Sequence, residues 1–296
     1  MNPSLHCNAM TIDVEDYFHV SAFEASIDRR AWDSFDSRVE ANTDYLLELL
    51  AQAGCKATFF TLAWVGRKYP NLLRRVAAAG HEIASHGCEH VRITQFNRQQ
   101  LYADVSDSRK LLEDLSGTVV SGYRAPSFSI RRNNLWALGV IAEAGYGYSS
   151  SIYPVRHDLY GIPDAPRFPF IERTSGLLEI PVTTVRLVGH NFPVGGGGFF
   201  RFYPYAVTRQ AFTRINEREQ QAAVFYTHPW EYDPEQPRPA GAGWKARARH
   251  YLNLHKTAGR LRRLLADFSW DRMDRVFPRT GDRAYPVMSY EGKTWR

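Results

Sequence analysis

The chain has 296 residues, 44% of them hydrophobic and 14% aromatic, which is enough apolar material for one large buried core. Its formal net charge is +6, but no segment combines basic and aromatic residues as a nucleic-acid-binding module does, so nucleic acid is not an expected partner. The sequence shows no run of about 18 apolar residues, no secretory leader pattern and only isolated cysteines, so we expect a cytoplasmic protein without a transmembrane segment.

Strands and helices alternate along the first half of the chain. Ser37 and Glu40 have the spacing of a capping box and are expected to open the first helix, which Gly54 ends. The predicted strands cover residues 8–13, 56–62, 81–85, 118–123 and 146–152, and the later helices cover residues 72–79, 97–115 and 135–144. This alternation predicts a mainly parallel sheet with outer helices, and it favours a barrel with its chemistry at the carboxyl ends of the strands.

The second half of the chain begins with a different pattern. Prolines and a run of four glycines interrupt short strands between residues 153 and 204, which we interpret as an insertion that forms one wall of a substrate groove; the glycine run itself is expected to be a flexible turn. A helix over residues 205–220, a buried strand over 222–226 and a basic helix over 250–268 follow. We therefore predict a barrel domain over residues 1–235, and a helical extension and tail packed on it over 236–296.

Polar residues follow several of these strands. Asp13, Glu15 and Asp16 end the first strand, and three carboxylates so close together indicate that a cation holds them. His86 and His90 are four residues apart, a spacing at which two imidazoles can share a divalent ion such as zinc together with an acidic third ligand. Arg124 and His228 come at the ends of two further strands. Cys88 lies between the two histidines, but the spacing does not favour it as a ligand.

In chain order, these segments resemble the five motifs of the polysaccharide deacetylases of carbohydrate esterase family 4, which share the NodB homology domain. The corresponding segments are TIDVED, SHGCEH, YRAPSFS, YSSSIYP and YTHPWEYDP, and four of the five match, over roughly residues 8–235. The stretches DVEDYFHV, RAPSFSI, THPWEYDPEQP and GGGFFRFYP are more similar to a subgroup associated with bacterial exopolysaccharide loci. The resemblance implies an α/β fold, a distorted (β/α) barrel with fewer than eight complete repeats, followed by a short extension.

Two positions depart from the family pattern. The family's first motif has adjacent aspartates, a base and then a metal ligand, but Val14 follows Asp13 here. The ligand then maps to Glu15, which projects to the same side of a strand as Asp13, with Asp16 as the alternative. Ser149 stands where the family has an Asp that supports the late histidine, so His228 would either need another carboxylate as its partner or be a weaker acid than in relatives.

The resemblance implies a metal-dependent mechanism. A divalent ion, expected to be zinc, would be held by His86, His90 and either Glu15 or Asp16. Asp13 would act as the base, with Arg124 paired to it so that it stays ionised and oriented, and His228 would act as the acid. A backbone N–H near Tyr17 would stabilise the oxyanion. The residues predicted to contact substrate are Tyr17, Pro126 and Trp230.

We therefore predict a hydrolase that removes N-acetyl groups from an amino-sugar-containing polysaccharide or its precursor, in exopolysaccharide biosynthesis. The substrate can be a polymer, a lipid-linked precursor or a nucleotide sugar, and peripheral association with a polysaccharide-synthesis complex is compatible with the sequence. Two alternatives remain: a ring-opening amidohydrolase similar to allantoinase, and a non-catalytic carbohydrate-binding relative suggested by Ser149. The sequence does not specify an oligomeric state.

Overall fold

The strands form one large, mostly parallel sheet. The computed structural model describes residues 6–21, 23–24, 26–157, 160–239, 243–279, 284–292 and 294–296. In chain order the strands are β1 Cys7–Val14, β2 Thr58–Thr61, β3 Glu82–Ser85, β4 Gly122–Tyr123, β5 Tyr148–Ser149, β6 Phe170–Glu172, β7 Leu178–Glu179, β8 Thr184–Leu187, β9 His190–Pro193, β10 Val224–Thr227, β11 Ser269–Asp271 and β12 Val287–Met288. The sheet order is β10-β1-β2-β3-β4-β5-β7-β6-β12, with β11 also paired to β1, while β8 and β9 form a separate hairpin.

This topology confirms the predicted α/β class. Neighbouring strands from β10 to β7 are parallel, and the pairing of β6 with β7 is antiparallel. Within the part of the chain that the structure describes, strand pairing runs from β10 to β12 without joining these two ends, so the closed barrel is not confirmed.

Side chains along β1 point alternately to the two faces of the sheet. Met10, Ile12 and Val14 are fully buried and contribute to the main apolar core. Thr11 and Asp13 alternate with them and therefore project from the opposite face of the strand. Because of this alternation, the apolar side chains of β1 face the core, and Thr11 and Asp13 face the residues that follow the neighbouring strands.

The helices are amphipathic and cover the sheet. They are α1 Val39–Gln52, α2 Ala63–Lys68, α3 Pro70–Ala78, α4 Arg98–Ser116, α5 Trp136–Glu143, α6 Gly197–Phe202, α7 Tyr205–Thr213, α8 Trp244–Tyr251, α9 Leu254–Asp267 and α10 Met273–Val276. In α4 the buried positions include Leu101, Val105 and Leu112, at helical spacing. Asn97 caps its first turn and Gly117, in the left-handed conformation, ends it. None of the described helices is both long enough and apolar enough to span a bilayer.

The C-terminal segment differs from the predicted helix and tail in two ways. The basic helix predicted over residues 250–268 is present as α9, but it begins only at Leu254. A separate helix, α8, precedes it, because Leu252 is extended and Asn253 adopts a left-handed conformation with φ 53°. The segment also adds strands to the sheet, since β11 pairs with β1 and β12 pairs with β6. The chain beyond residue 236 is therefore interleaved with the sheet as well as packed on it.

Candidate active site

The residues predicted at strand ends converge in one small cleft. Asp13 lies on β1, His86 directly follows β3, and Arg124 directly follows β4. His228 directly follows β10, which pairs with β1 on the side opposite to β2. Because the carboxyl ends of parallel strands meet at one edge of a sheet, sequence-distant side chains come together there. The cleft is lined by Asp13, Glu15, Val20, Ser21, His86, His90, Arg92, Ala125, Ser127, Phe128, Tyr160, Tyr226, His228 and Trp230.

Glu15, His86 and His90 form a group that suits a metal ion. One ligand atom from each lies within 4.8 Å of the others, and all three residues are buried. The Nε2 atom of His90 is 2.9 Å from Oε2 of Glu15. The Nδ1 atom of His86 is 2.8 Å from the carbonyl oxygen of Arg124, so Nδ1 donates there and Nε2 keeps its lone pair for a ligand. This arrangement of two imidazoles and one carboxylate fits zinc.

The protonation states agree with that fit. Burial lowers the pKa of His86 to about 4, which keeps the imidazole in the neutral form that binds metals. Burial acts to raise the pKa of Glu15, but the imidazoles of His90, His228 and His86 hold it below its usual range. Among the described residues, the group therefore offers the neutral imidazole of His86 and the carboxylate of Glu15 to a metal ion at neutral pH.

Asp16, the alternative ligand, is turned away from this group. Its Oδ2 accepts hydrogen bonds from the Ser37 hydroxyl at 2.6 Å and from the backbone N–H groups of Arg38 and Val39 at 2.8 and 3.0 Å. Its Oδ1 accepts from the Tyr17 N–H at 2.9 Å. The carboxylate thus caps the N-terminus of α1, in place of the predicted Ser37–Glu40 capping box, which is not formed.

We expect Asp16→Asn to lower stability without removing the metal. The amide would present an N–H group to donors that now face a carboxylate oxygen, and leaving buried donors unsatisfied costs about 1–3 kcal/mol. Chemical denaturation should show this loss, and zinc analysis should give the wild-type stoichiometry. Glu15→Gln is the matched comparison, because it alters the neighbouring carboxylate and should lower zinc affinity. Loss of zinc in the Asp16 variant alone would contradict this account.

Asp13 and Arg124 form a buried ion pair beside the metal group. Nη1 of Arg124 is 2.6 Å from Oδ1 of Asp13 and also donates to the Thr11 hydroxyl at 2.8 Å. The Nε and Nη2 atoms of Arg124 donate to the carbonyl and the hydroxyl of Ser150, at 3.2 and 3.1 Å respectively. The guanidinium also lies 4.0 Å from the ring centroid of Phe60. These contacts fix one carboxylate oxygen of Asp13 and leave Oδ2 facing the cleft, 3.9 Å from Nε2 of His228.

His228 does have a carboxylate partner, and it is Glu231. Oε1 of Glu231 is 2.5 Å from Nδ1 of His228 and also accepts the backbone N–H of the same histidine at 3.1 Å. The 3-10 turn Pro229–Tyr232 brings these positions together. Glu231 is missing from the sequence-based site, although its spacing of three residues from His228 in the THPWE segment was a usable signal. Ser149 donates to the Ser151 hydroxyl instead.

The charges around His228 favour its protonated form. Burial acts to lower the pKa, but the hydrogen bond with Glu231 and the carboxylates of Glu15 and Asp13 raise it to about 9. A divalent ion at Glu15 would weaken that attraction and bring the pKa back toward neutrality. The Nε2 atom, 3.4 Å from Oε1 of Glu15, is directed into the cleft, where an acid would be needed.

The predicted substrate-contacting residues lie differently from what the sequence indicated. The Tyr17 side chain is 1% exposed in the main core, and its N–H is occupied by Asp16, so neither part faces the cleft. Pro126 is buried at the start of a 3-10 turn, and its neighbours Ala125 and Ser127 line the cleft instead. Trp230 does line the cleft, but His228 and His250 stack on its indole, at 5.2 and 4.2 Å between ring centroids.

The backbone around the cleft is unusual. Three non-glycine residues that line it, His90, Ser127 and Phe128, have φ values of 53°, 56° and 49°. The left-handed region is costly for side chains other than glycine, and such residues concentrate at functional sites. The turn after Arg124 and the loop that carries the histidine pair are therefore held by their surroundings in conformations that aim side chains at the cleft.

Comparison with known families agrees with this geometry. Residues 25–148, which contain His86, His90 and Arg124, match the model described as polysaccharide deacetylase. This segment of the chain is thus similar to polysaccharide deacetylases. Residues 150–278 match a second model, described as a domain of unknown function (DUF3473). The candidate site draws on both segments, since His228 and Glu231 lie in the second, while Asp13 and Glu15 precede the first.

Curated relatives of the chain include two bacterial proteins named as deacetylases. A peptidoglycan-N-acetylglucosamine deacetylase of Bacillus cereus is 32% identical over 96 residues, which is 32% of this chain and 35% of the relative. A chitooligosaccharide deacetylase of Rhizobium leguminosarum bv. trifolii is 28% identical over 120 residues, 40% of this chain and 53% of the relative. The matched regions thus cover about half or less of each relative's length.

Solved structures show the same fold over nearly the whole chain. A Mycobacterium smegmatis protein described as a polysaccharide deacetylase matches with a TM-score of 0.59 at 17% identity, covering 96% of both chains. A family 4 carbohydrate esterase from Streptomyces lividans matches with a TM-score of 0.50 at 16% identity, covering 96% of this chain and 99% of that one. The likeness to both concerns the fold.

Proposed function

We propose that this protein is a zinc-dependent hydrolase that removes N-acetyl groups from an amino-sugar-containing polysaccharide or its precursor. The observation that carries the proposal is the convergence of three functions in one cleft. Glu15, His86 and His90 could hold a metal, the Asp13–Arg124 pair offers a base, and His228 with Glu231 offers an acid. The named relatives, which act on N-acetylated sugars according to their names, support the same reaction type.

Each residue then has a defined part in hydrolysis. Zinc in such a site polarises the acetyl carbonyl and lowers the pKa of water from about 16 to about 7. Asp13 accepts the proton of the water whose oxygen attacks the carbonyl carbon, while Arg124 keeps its carboxylate in place. His228 donates a proton from Nε2 to the amide nitrogen as the C–N bond breaks, so the products are acetate and a free amine. Proton transfers of this kind contribute about 10² to 10⁴ each to the rate.

The non-catalytic alternative loses its main argument. It depended on Ser149, which cannot support an imidazolium, but Glu231 provides the missing carboxylate from within the same turn as His228. A protein that only binds sugars has no need of a buried base and an acid facing each other across 3.9 Å. The ring-opening alternative has no residue in the cleft that favours it. The similarity of four sequence stretches to the exopolysaccharide subgroup supports a role in exopolysaccharide biosynthesis.

The test is acetate release from N-acetylglucosamine oligomers by zinc-loaded protein. We expect acetate to be released together with new amino groups, activity to be lost on chelation, and activity to return when zinc is added back. The same oligomers without acetyl groups serve as the blank. Protein that holds zinc but releases no acetate from oligomers, lipid-linked or nucleotide-linked N-acetyl sugars would contradict the proposed function.

A further inference from the structure

Glu231 is held on both sides by buried partners. Its Oε1 bonds to His228, and its Oε2 is 2.7 Å from Nε of Arg201. The side chain of Glu231 is 0% exposed and that of Arg201 is 3% exposed, so the pair is sealed from solvent. Burial acts to raise the pKa of Glu231, whereas Arg201 and His228 together hold it below the usual range. The three residues therefore form a continuous chain from the cleft to the protein interior.

The other edge of Arg201 is held by the C-terminal extension. Its Nη1 donates to the carbonyl oxygens of Arg249, His250 and Leu252, at 3.3, 2.7 and 3.0 Å. These carbonyls lie at the C-terminal end of α8, where they lack helical partners and where the helix dipole favours a cation. They are available because the chain leaves the helical conformation at Leu252 and Asn253. Asn253 in turn donates to the Arg201 carbonyl at 2.9 Å.

The run of four glycines, residues 195–198, packs against β10, the strand that His228 directly follows. This run leads into α6, which carries Arg201. The Tyr226 N–H donates to the Gly195 carbonyl at 2.7 Å, which continues the sheet beyond β10. At Gly196, with φ 133°, an added Cβ would overlap the Tyr226 carbonyl oxygen, so only glycine permits this approach. Helix α6 starts at Gly197 and carries Arg201 in its last turn. The glycine run therefore packs closely against β10 and is not the flexible turn expected from sequence.

Aromatic stacking fixes the same histidine from a second direction. The Trp230 ring stacks with His228, and His250 stacks with Trp230, at interplanar angles of 21° and 15°. The Arg201 guanidinium lies 5.1 Å from the Trp230 ring centroid, and His250 is itself held by Gln236 at 2.8 Å. The extension therefore reaches His228 both through hydrogen bonds and through ring contacts.

We propose that Arg201 is a positioning residue for the acid His228, and that the C-terminal extension holds Arg201 in place. Residues 150–278, matched as a domain of unknown function, would then serve to build and support the acid half of the active site. This inference rests on the proposed function. Removing the guanidinium would leave Glu231 buried without a counter-charge, so its carboxylate would move or take up a proton and release the imidazole.

The test compares two reactions in Arg201→Met, Arg201→Lys and wild type. Amide hydrolysis needs a proton on the departing nitrogen, whereas an aryl acetate such as 4-nitrophenyl acetate releases a stable phenolate without one. Both reactions still use the metal group and Asp13. Arg109→Met is the matched control, because Arg109 on α4 also pairs with a glutamate, Glu113 at 3.2 Å, and donates to a backbone carbonyl, that of Ala144 at 2.9 Å, but lies outside the cleft lining.

For Arg201→Met we expect kcat for the amide to fall about 10²-fold, the general-acid contribution, with KM, zinc content and aryl acetate hydrolysis near wild type. Arg201→Lys should recover part of the loss, since an ammonium can pair with Glu231 but cannot also serve three carbonyls. Arg109→Met should leave both reactions unchanged. Parallel loss of amide and ester activity in Arg201→Met, or no loss of either, would overturn the proposal.

A second measurement separates this inference from the proposed function. The short His228–Glu231 hydrogen bond should give a low-field Nδ1 proton resonance in wild type and Arg109→Met, and this resonance should vanish in Arg201→Met. Persistence of the resonance in Arg201→Met would overturn the positioning role whatever the substrate. Wild-type protein inactive on N-acetyl sugars, but with the resonance lost in Arg201→Met, would instead contradict only the deacetylase function.

Discussion

Asp13→Asn is expected to lower kcat for N-acetyl hydrolysis by about 10² to 10⁴, the range typical of a lost general base. Oδ1 of Asp13 is fixed by Arg124 and Oδ2 faces the cleft, so an amide at this position keeps the shape but cannot accept the water proton. The metal content should not change, because Asp13 lies outside the group formed by Glu15, His86 and His90. Steady-state acetate release and zinc analysis on the same preparations measure both.

This variant also affects stability, and the control must account for it. Removing one charge from a buried pair leaves Arg124 without its counter-charge, which costs about 3–5 kcal/mol when the partner is lost outright. An asparagine oxygen can still accept a hydrogen bond from Arg124, so we expect a smaller loss. Rates should be taken well below the unfolding temperature, with Asp16→Asn as the control, since it destabilises without touching the cleft. A kcat within threefold of wild type would contradict the role of Asp13.

The second large effect is expected at His228. His228→Gln should lower kcat for the amide by about 10² to 10⁴, while hydrolysis of 4-nitrophenyl acetate should change by no more than about tenfold. The glutamine amide can still donate to Glu231, so the surroundings are preserved, but it cannot protonate a departing amine. Measuring both substrates on one enzyme preparation removes uncertainty about the active fraction.

Two outcomes would separate the possible roles of His228. A large loss on the amide alone supports the acid, whereas an equal loss on both substrates would indicate that His228 binds the metal or shapes the cleft. His255→Gln is a suitable control because His255 is exposed on α9 and lies outside the cleft lining. That variant should match wild type on both substrates.

The order of strands and helices was largely predictable from sequence because it follows local periodicity. The strand that ends in Asp13 and the helix between Asn97 and Gly117 carry strong alternation and capping signals, and both exist close to the predicted bounds. The strand predicted over residues 118–123 is reduced to Gly122–Tyr123, since pairing with β3 and β5 determines its extent. Local pattern thus located the elements, while their extent depended on pairing partners.

Some of the missed features depend on contacts between distant segments, whereas others had a local signal. The Asp16 carboxylate caps a helix that begins 23 residues later, which displaces the local Ser37–Glu40 capping box. The break between α8 and α9 contains neither proline nor glycine, and its local signal is Asn253, a residue type that adopts the left-handed conformation more readily than most. Glu231 was overlooked because a carboxylate in a polar loop resembles a solvated residue until the turn after His228 and the partner Arg201 are known.

Aromatic residues near the site show a second limit of pattern analysis. Tyr17 and Trp230 both follow strand ends, and sequence offers no means of separating a core ring from a groove wall. In the structure, Tyr17 packs edge-on against Phe18 in the core, while Trp230 stacks with two imidazoles. The cleft is bordered by the aromatic side chains of Phe128, Tyr160 and Tyr226 in addition to Trp230.

The most direct test of the account is the amount of zinc bound per chain in reconstituted wild-type protein and in His86→Ala. The convergence of Glu15, His86 and His90 predicts about one zinc ion per chain in wild type and in Asp16→Asn, and well below one in His86→Ala. Wild-type protein that binds no divalent metal after reloading, or His86→Ala protein that binds as much as wild type, would contradict the metal-dependent mechanism.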